Sequence, residues 1–416
     1  MIPRFSPDYR FLDIGRCLWP ARRDSVALLE EAFARLSGHY SALSFRYGRT
    51  GLFYLLKALG AEGKKVVLPS YTCVVVAHAV ALAGARPYFL DNAPGGFQPS
   101  QQDYIDAVDA DTAMVIPTHI FGMAQETARL YSELKKRWPG IFVLQDCAHS
   151  FFCSDLTGRV VTAYGDGALF GMNISKLVNS VKGGILTLKD TVLAGKIRKL
   201  VAKDRACVSA PGGGLLPSRL YVPASALAFE PWLYGLVDYL KEHTSLLDRE
   251  VKYYDETRIE LPADYQLPMS DFEADIGLAS LARLAERVRR RGELAGQYCR
   301  LLAQALDLTV PEWRIGHTWS HFPVLVRPEL REEIRRKLQR RCAAEIGTVI
   351  NYSVADMPCY GIGRPATCPN AARTAASVLN LPLTSEEGLL PGLRWGIRSE
   401  QVAGELLPLL HSLRQR

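Results

Sequence analysis

The feature that most constrains the fold is a regular alternation of short apolar segments and helical segments between residues 51 and 188. Apolar runs of strand length lie at 65–69, 86–90, 113–116, 142–144, 168–172 and 184–188, and helical patterns lie at 52–59, 73–83 and 124–138. This alternation predicts an α/β fold with a mostly parallel, doubly wound sheet covered on both faces. Ligands of such sheets bind beyond the carboxyl ends of the strands, so we expect the chemistry in the loops that follow them.

The pattern divides the chain into four regions. Residues 1–45 form an N-terminal segment with a helix at 25–36, and residues 46–190 form the large domain. Residues 191–267 break the rhythm and predict a divergent helical excursion with a glycine-rich loop at 211–214 and a charged run at 241–258. Residues 268–416 predict a long helix (271–302) and a small α/β domain. Its expected elements are a strand at 321–326, a helix at 329–342 and a last helix near Glu400 with Ser399 as N-cap.

The composition excludes several classes of protein. The most apolar stretch, 225–240, is interrupted by Glu230, Pro231 and Asp238 and is too short to span a bilayer. The N-terminus lacks the apolar run of a signal peptide, so we expect a cytoplasmic protein. The nine cysteines form no CxxC pair, which predicts free thiols and no metal site.

The net charge of +7 is concentrated in two arginine-rich stretches, 283–291 and 331–341. Both have helical spacing of apolar positions, which favours a solvated outer helix face over a binding surface for an anionic ligand or membrane. No recognised motif accompanies the charge, so we expect no nucleic-acid partner.

An acid and a lysine follow two of the apolar segments. Asp146 comes directly after the segment at 142–144, and Lys176 lies in the loop after 168–172. This pair suits pyridoxal phosphate (PLP), because a carboxylate keeps the pyridine nitrogen protonated while a lysine forms a Schiff base and moves protons on the substrate carbon. Acids and lysines are common at strand ends, so the pair alone is also compatible with ordinary structural roles.

Two neighbouring motifs strengthen the PLP interpretation. Gly48-Arg49-Thr50 opens a helix, and the free backbone N–H groups of a helix N-terminus form a natural phosphate cup. Tyr71 follows the segment at 65–69 and is placed to stack on a flat cofactor.

Together these stretches resemble the DegT/DnrJ/EryC1/StrS family of sugar aminotransferases, which are PLP enzymes of fold type I. The matching stretches occur in the family's order and cover roughly residues 45–190 and 268–410. They lie at 48–52, 69–72, 84–87, 116–122, 146–149, 165–168, 170–176, 183–184, 275–278 and 379–383.

The resemblance implies a role for each matched residue. Lys176 is expected to be the Schiff-base lysine, Asp146 the partner of the pyridine nitrogen, and His149 a polar neighbour of the cofactor's phenolic oxygen. The other expected cofactor contacts are Gly48, Arg49 and Thr50 at the phosphate, Tyr71 at the ring, and Ser175 beside the lysine. Lys182 is the rival Schiff-base candidate, although the family usually has an acid at its position.

Three positions depart from the family pattern. Cys73 stands where the family usually has an aromatic residue that stacks on the pyridine ring. Gly171 replaces a phosphate-binding serine, for which Arg49 could compensate. The Asn-x-Arg that usually reaches across the dimer is not recognisable in Gln266-Leu267-Pro268. The last departure leaves the binding site for the donor carboxylate open.

The expected activity is amino transfer from an amino acid, with glutamate as the expected donor, to a nucleotide-linked keto-sugar in glycan or secondary-metabolite biosynthesis. Dehydratase relatives carry histidine in place of the lysine, so Lys176 favours transamination. Two alternatives remain open: a PLP enzyme acting on a cyclitol or non-sugar ketone, and a non-catalytic regulatory protein. The resemblance also implies a homodimer.

The aromatic stretch at 229–240 has two interpretations. Its Trp and Tyr residues flank apolar ones, which favours burial against a partner subunit or the domain core. The alternative is that it lies on a membrane surface.

Overall fold

A seven-stranded sheet forms the centre of the larger part of the molecule. The computed structural model describes residues 1–206, 216–244, 257–361, 368–387 and 394–414. The strands are β1 (Ser41–Phe45), β2 (Lys65–Pro69), β3 (Arg86–Leu90), β4 (Thr112–Val115), β5 (Phe142–Asp146), β6 (Gly167–Gly171) and β7 (Gly184–Leu188). Their order is β1-β7-β6-β5-β4-β2-β3. Strands β2 to β6 pair in parallel, whereas β7 runs antiparallel to β6 and β1, so the predicted mostly parallel sheet is confirmed.

Helices cover this sheet. They are α2 (Ser25–Ser37), α3 (Gly48–Leu59), α4 (Val74–Leu82), α5 (Gln101–Asp106), α6 (Ala128–Arg137) and α7 (Thr191–Ala206). The short helix α1 (Phe11–Arg16) precedes them in the chain and packs against other helices. All positions of β5 and β7 are buried, as expected for strands packed on both faces. The edge strand β3 is partly exposed and accommodates Pro87 because an edge can lack one hydrogen-bond donor.

Three elements before α7 escaped the sequence prediction, and the short helix α1 is the first of them. Strand β1 has Ser41 and Ser44 among its five residues, which weakens its apolar signal, and its pairing with β7 extends the sheet. Helix α5 is short and begins with a capping box between Ser100 and Asp103.

The predicted helical excursion contains α8 (Leu216–Ala228) and α9 (Pro231–His243) after α7. The glycine-rich loop at 211–214 and most of the charged run at 241–258 lie outside the described residues. One face of α9 is buried, because the Tyr234 hydroxyl donates to a carboxylate oxygen of Glu345 at 2.6 Å and Lys241 donates to the same group at 3.1 Å.

The opposite face of α9 is apolar and exposed. Trp232 is 73% exposed, and Leu236 and Tyr239 lie along the same face. Burial against the domain core therefore describes one face of this helix. For the other face, burial against a partner subunit and contact with a membrane surface both stay untested. Within the described part of the chain, no helix has the length and apolar character needed to cross a bilayer.

The prediction of one long helix over 271–302 is wrong. Helix α10 (Asp271–Ala282) ends and α11 (Leu284–Leu302) begins at Arg283, whose backbone angles are φ −97° and ψ −2°. The Arg283 guanidinium donates to the carboxylates of Asp8 and Asp13 at 2.9 and 2.8 Å, so the break coincides with the attachment of the N-terminal segment.

The prediction of a solvated arginine face on α11 is also wrong in part. Arg287 is buried and binds Asp8 and the carbonyl of Leu177. Arg291 is buried and donates from Nη1 to the carbonyl of Ser320 at 2.8 Å. Arg289 is exposed and pairs with Glu residues of its own helix.

The small domain is built around the antiparallel pair β8 (Phe322–Leu325) and β9 (Val378–Leu381). Its other elements are α12 (Arg331–Cys342), α13 (Pro358–Gly361), α14 (Pro369–Ser377), β10 (Ser385–Glu387), β11 (Arg394–Gly396) and α15 (Ser399–Arg414). The predicted strand and both predicted helices are present with bounds shifted by one or two residues. Trp319 and Phe322 lie in the apolar core between this domain and α11.

Candidate active site

Strand β5 places Asp146 at its carboxyl end, as the sequence predicts. The side chain is 3% exposed, and one carboxylate oxygen accepts the N–H of Ala148 at 3.0 Å. Burial raises the pKa of Asp146, while the Ala148 N–H, the charge of Lys176 and the hydroxyl of Thr118 act in the opposite direction. An ionised carboxylate at this depth is suited to a cationic partner.

Lys176 lies in the loop after β6, the neighbour of β5 in the sheet. A side chain at Gly171 would begin 3.7 Å from Cε of Lys176, so the lysine stem passes over the end of β6. Burial lowers the pKa of Lys176, and Cys73 and Asp146 raise it to a smaller extent. The interaction with Asp146 shows that the two predicted residues converge at one edge of the sheet.

The contacts of Ser175 and Lys182 differ from those of Lys176. Asn173 accepts the N–H of Lys176 with its carbonyl at 3.0 Å, and its side-chain oxygen accepts the Ser175 hydroxyl at 2.8 Å. Ser175 therefore stabilises the turn that presents the lysine. Lys182 is 44% exposed and lies 3.9 Å from Asp264, so the geometry favours Lys176 over its rival.

The predicted phosphate cup lies beside this loop. Helix α3 begins at Gly48. The side chain of Tyr47, the residue before it, accepts no hydrogen bond from the first backbone N–H groups of the helix. A Cβ at Gly48 would lie 3.2 Å from the carbonyl of Phe170, and a Cβ at Gly184 would clash with the backbone nitrogen of Gly48. The start of the helix thus lies directly against β6 and β7, which requires glycine at both positions.

Thr50 provides the observation that tests whether a phosphate fits. Its side chain is 1% exposed, and its hydroxyl has no hydrogen-bond partner among the described residues. A buried hydroxyl without a partner is costly and marks a place where a ligand oxygen is expected. Arg49 is also buried, with its guanidinium 5.4 Å from the centre of the Tyr47 ring. The residues of the cup therefore fit a phosphate group.

Replacing Thr50 with valine is expected to weaken PLP binding by about 10- to 100-fold, because a hydrogen bond to a charged group contributes about 1.5–3 kcal/mol. The apo protein should keep its stability, since the hydroxyl has no protein partner to lose. Titration of apo protein with PLP measures the affinity, and thermal unfolding measures stability. Thr127→Val is the matched control, because Thr127 is equally buried with an unpartnered hydroxyl before α6. Equal PLP affinity in the two variants would remove Thr50 from the phosphate site.

The ring of Tyr71 is enclosed by its neighbours. Tyr71 is 1% exposed, packs edge-on against Phe121 with ring centres 6.1 Å apart, and points its hydroxyl at the carbonyl of Val349. In this arrangement its ring has no exposed face, so stacking on a cofactor stays a prediction that requires movement of the ring. Cys73, two positions further along the chain, raises the pKa of Lys176 by a charge interaction.

His149 lies in the loop that follows Asp146 at the end of β5. It is 8% exposed, its ring centre is 5.6 Å from that of His321, and Phe121 packs edge-on against both rings. Burial lowers the pKa of His149 well below its ordinary value, and Lys176 adds to that effect. His149 is therefore neutral at pH 7.

Sequence reasoning missed Ser320 and His321, which the small domain contributes to this site. The Ser320 hydroxyl lies 3.1 Å from Nδ1 of His321 and 3.4 Å from Nδ1 of His149. The available signal was a histidine at the first position of the predicted strand 321–326. No periodicity rule shows that this strand begins beside Asp146 and Lys176, more than 140 residues earlier in the chain.

The sheet order, the lysine and acid at adjacent strand ends, and the cup at the start of α3 define a PLP enzyme of fold type I. Solved structures share this fold. They include aminotransferase TlmJ from Streptoalloteichus hindustanus (TM-score 0.73, 24% identity, 100% of both chains covered). Another is the PLP form of Spr1654 from Streptococcus pneumoniae (TM-score 0.73, 17% identity, 99% of both chains covered).

A family model shows to which family of fold type I enzymes the chain belongs. The model of the DegT/DnrJ/EryC1/StrS aminotransferase family matches residues 16–388, and the chain belongs to this family. The chain is therefore a PLP-dependent aminotransferase. It is also 26% identical over 320 residues to the UDP-4-amino-4-deoxy-L-arabinose–oxoglutarate aminotransferase of Shewanella sediminis, covering 76% of this chain and 72% of that protein.

Proposed function

We propose that this protein transfers an amino group from an amino acid, with glutamate as the expected donor, to the ketone of a nucleotide-linked sugar. The observation that carries the proposal is the convergence of Lys176, Asp146 and the Thr50 cup at one edge of the sheet. The name of the Shewanella sediminis relative pairs a UDP-linked amino sugar with oxoglutarate, which supports a nucleotide sugar as acceptor and glutamate as donor.

Each residue has a defined task toward the cofactor. Gly48, Arg49 and Thr50 would hold the phosphate, Asp146 would keep a proton on the pyridine nitrogen, and Lys176 would hold the cofactor covalently. When bound, PLP withdraws electrons from the substrate carbon next to the reacting nitrogen.

Lys176 is also the group that moves protons. Burial lowers the pKa of its ammonium, which increases the share of neutral amine at pH 7. Cys73 and Asp146 oppose this shift to a smaller extent. The lysine stem lies over the end of β6, where Gly171 has no side chain that would displace it.

A cyclitol or other non-sugar ketone is the second candidate acceptor. The segment at 266–268 lacks the arginine that the family resemblance leads one to expect, and the Gln266 carbonyl instead accepts a hydrogen bond from Nε of Arg205 in α7 at 2.8 Å. Along the chain, helices α8 and α9 come between α7 and this segment. A changed donor and acceptor site is the structural reason to test other ketones.

The experiment pairs PLP-loaded enzyme with a panel of nucleotide-linked keto-sugars and cyclitol ketones, each with glutamate or another amino acid. The expected product is a nucleotide sugar in which the carbonyl oxygen has been exchanged for an amine, identified by mass analysis. Amination of only the cyclitol ketones would overturn the nucleotide-sugar assignment. Failure of every donor to aminate the cofactor would favour the non-catalytic alternative.

We also propose that the protein acts as a homodimer in the cytoplasm. Leu12, Leu18 and Trp19 of the N-terminal segment are exposed in the single chain, and large exposed apolar side chains in one segment favour a protein partner. Because a partner subunit would complete the site, the donor carboxylate could be bound by residues from across the interface.

A further inference from the structure

The Ser320 hydroxyl connects two imidazoles that come from different parts of the chain. His149 lies in the loop after β5 of the large sheet, whereas Ser320 and His321 lie immediately before β8 of the small domain. The hydroxyl oxygen is 3.1 Å from Nδ1 of His321 and 3.4 Å from Nδ1 of His149. A single O–H group therefore lies between two ring nitrogens.

The backbone around Ser320 is fixed from several directions. Three hydrogen bonds do this: Thr318 N–H to the Gly122 carbonyl at 2.9 Å, His321 N–H to the Phe121 carbonyl at 3.3 Å, and Arg291 Nη1 to the Ser320 carbonyl at 2.8 Å. These bonds join the segment before β8 to the loop after β4 and to helix α11. The position of the hydroxyl is thus determined by its surroundings and not by the serine alone.

The same segments hold two residues in a strained backbone conformation. Phe121 has φ 58° and Trp319 has φ 48°, the left-handed region that bulky residues rarely adopt. Gly122 is required between them because a Cβ there would clash with the backbone nitrogen of Trp319. Such strain persists where the surroundings over-determine it and is concentrated at functional sites.

Both imidazoles are neutral at pH 7. Burial lowers the pKa of each ring well below its ordinary value, and Lys176 acts in the same direction on both. For His321 the cations of Arg4 and Arg291 and the neighbouring His149 also lower the pKa. Each ring therefore carries one N–H, on either Nδ1 or Nε2.

The hydroxyl has one proton, so it can donate to only one of the two Nδ1 atoms. The other Nδ1 can bond to the oxygen only if it carries its own N–H. We propose that Ser320 is a positioning residue that holds His149 and His321 in opposite tautomers, so that one Nε2 is a proton donor and the other a proton acceptor beside Lys176.

The tautomer pairing depends on the Ser320 geometry and on the neutrality of the two rings, whereas its use in amino transfer rests on the proposed function.

Other histidines of the chain serve as internal references. The backbone N–H of Gln125 donates to Nδ1 of His119 at 3.0 Å, which fixes that ring as Nε2–H. Nε of Arg314 donates to Nε2 of His317 at 3.1 Å, which fixes that neutral ring as Nδ1–H. One protein therefore contains a standard for each tautomer.

The test is nitrogen NMR of histidine-labelled protein, with and without PLP, and with each signal assigned by single replacement. We expect one of His149 and His321 to match the His119 pattern and the other to match the His317 pattern. Ser320→Ala should abolish this opposition, and Ser320→Thr, which keeps the hydroxyl, should restore it. We also expect kcat to fall about tenfold in Ser320→Ala, short of the loss of a full acid–base group, with PLP affinity unchanged.

Identical tautomers on the two rings of the wild-type protein would overturn the proposal, and that result does not depend on the folding of any variant. Opposite tautomers that survive in Ser320→Ala would also overturn it, because the hydroxyl would then not be their cause. Opposite tautomers in a protein that aminates no ketone would leave the pairing intact and refute the proposed function instead.

Discussion

Replacement of Lys176 by alanine is expected to remove the visible absorption band of the lysine-linked cofactor and to lower kcat by at least about 10²–10⁴-fold. The lower bound is the usual contribution of a positioned general acid–base group, and loss of the covalent anchor adds to it. The lysine stem lies over Gly171 at the end of β6, the strand next to the one that carries Asp146. Absorption spectra of PLP-loaded protein and steady-state kinetics measure the two effects.

Lys182→Ala is the matched control for this variant. Lys182 lies six positions further along the same connection, but it is 44% exposed and pairs with Asp264 across 3.9 Å. An exposed pair of this kind contributes about 0–1 kcal/mol, so this variant should keep its band and its kcat. If Lys182→Ala loses the band and Lys176→Ala keeps it, the two lysines have been assigned in the wrong order.

The parts of the fold that the sequence predicts well are those determined by local pattern. The strands at 65–69, 86–90 and 184–188 have the predicted bounds because each is a short run of residues with strand character. The break at Arg283 could not be predicted in this way, because its partner Asp8 is 275 positions away in the chain. Strand β1 escaped prediction since its two serines conceal a pairing that only β7 supplies.

The same distinction applies to the site. Asp146 and Lys176 could be found because the carboxyl ends of neighbouring strands meet at one edge of a sheet. Thr50 could be placed at a helix N-terminus, but its unpartnered hydroxyl is visible only in three dimensions. Ser320 reaches His149 through the packing of the small domain on the loop of Phe121, for which sequence spacing carries no signal.

The second large effect concerns Asp146. Replacement by asparagine is expected to lower kcat by about 10²–10³-fold, the usual result of removing one preorganised charged group from an active site. Asparagine has nearly the same shape and can still accept the Ala148 N–H, which the carboxylate accepts at 3.0 Å. The variant therefore isolates the negative charge from the packing of the side chain.

The stability of the apo protein should change in the opposite direction to its activity. Burial raises the pKa of Asp146 above its ordinary value of 3.8, so the folded state binds this proton more tightly than the unfolded state does. The favourable contribution is complete below the unfolded pKa and is lost as the pH rises through the folded pKa. At pH 7 the ionised carboxylate is therefore a cost, and apo Asp146→Asn should unfold at a temperature equal to or above that of the wild type.

Asp155→Asn provides a control of opposite sign. Asp155 is equally buried in the molecule, but hydrogen bonds from Thr157, Tyr164 and the Arg159 backbone outweigh the effect of burial and lower its pKa. Its contribution to stability is present above the unfolded pKa and is lost as the pH falls through the folded pKa. At pH 7, Asp155→Asn should lower the unfolding temperature and leave the visible band of the cofactor unchanged. If Asp146→Asn destabilises the apo protein as Asp155→Asn does, Asp146 is an ordinary structural carboxylate that stabilises the empty site, and the expected cost of its charge is absent.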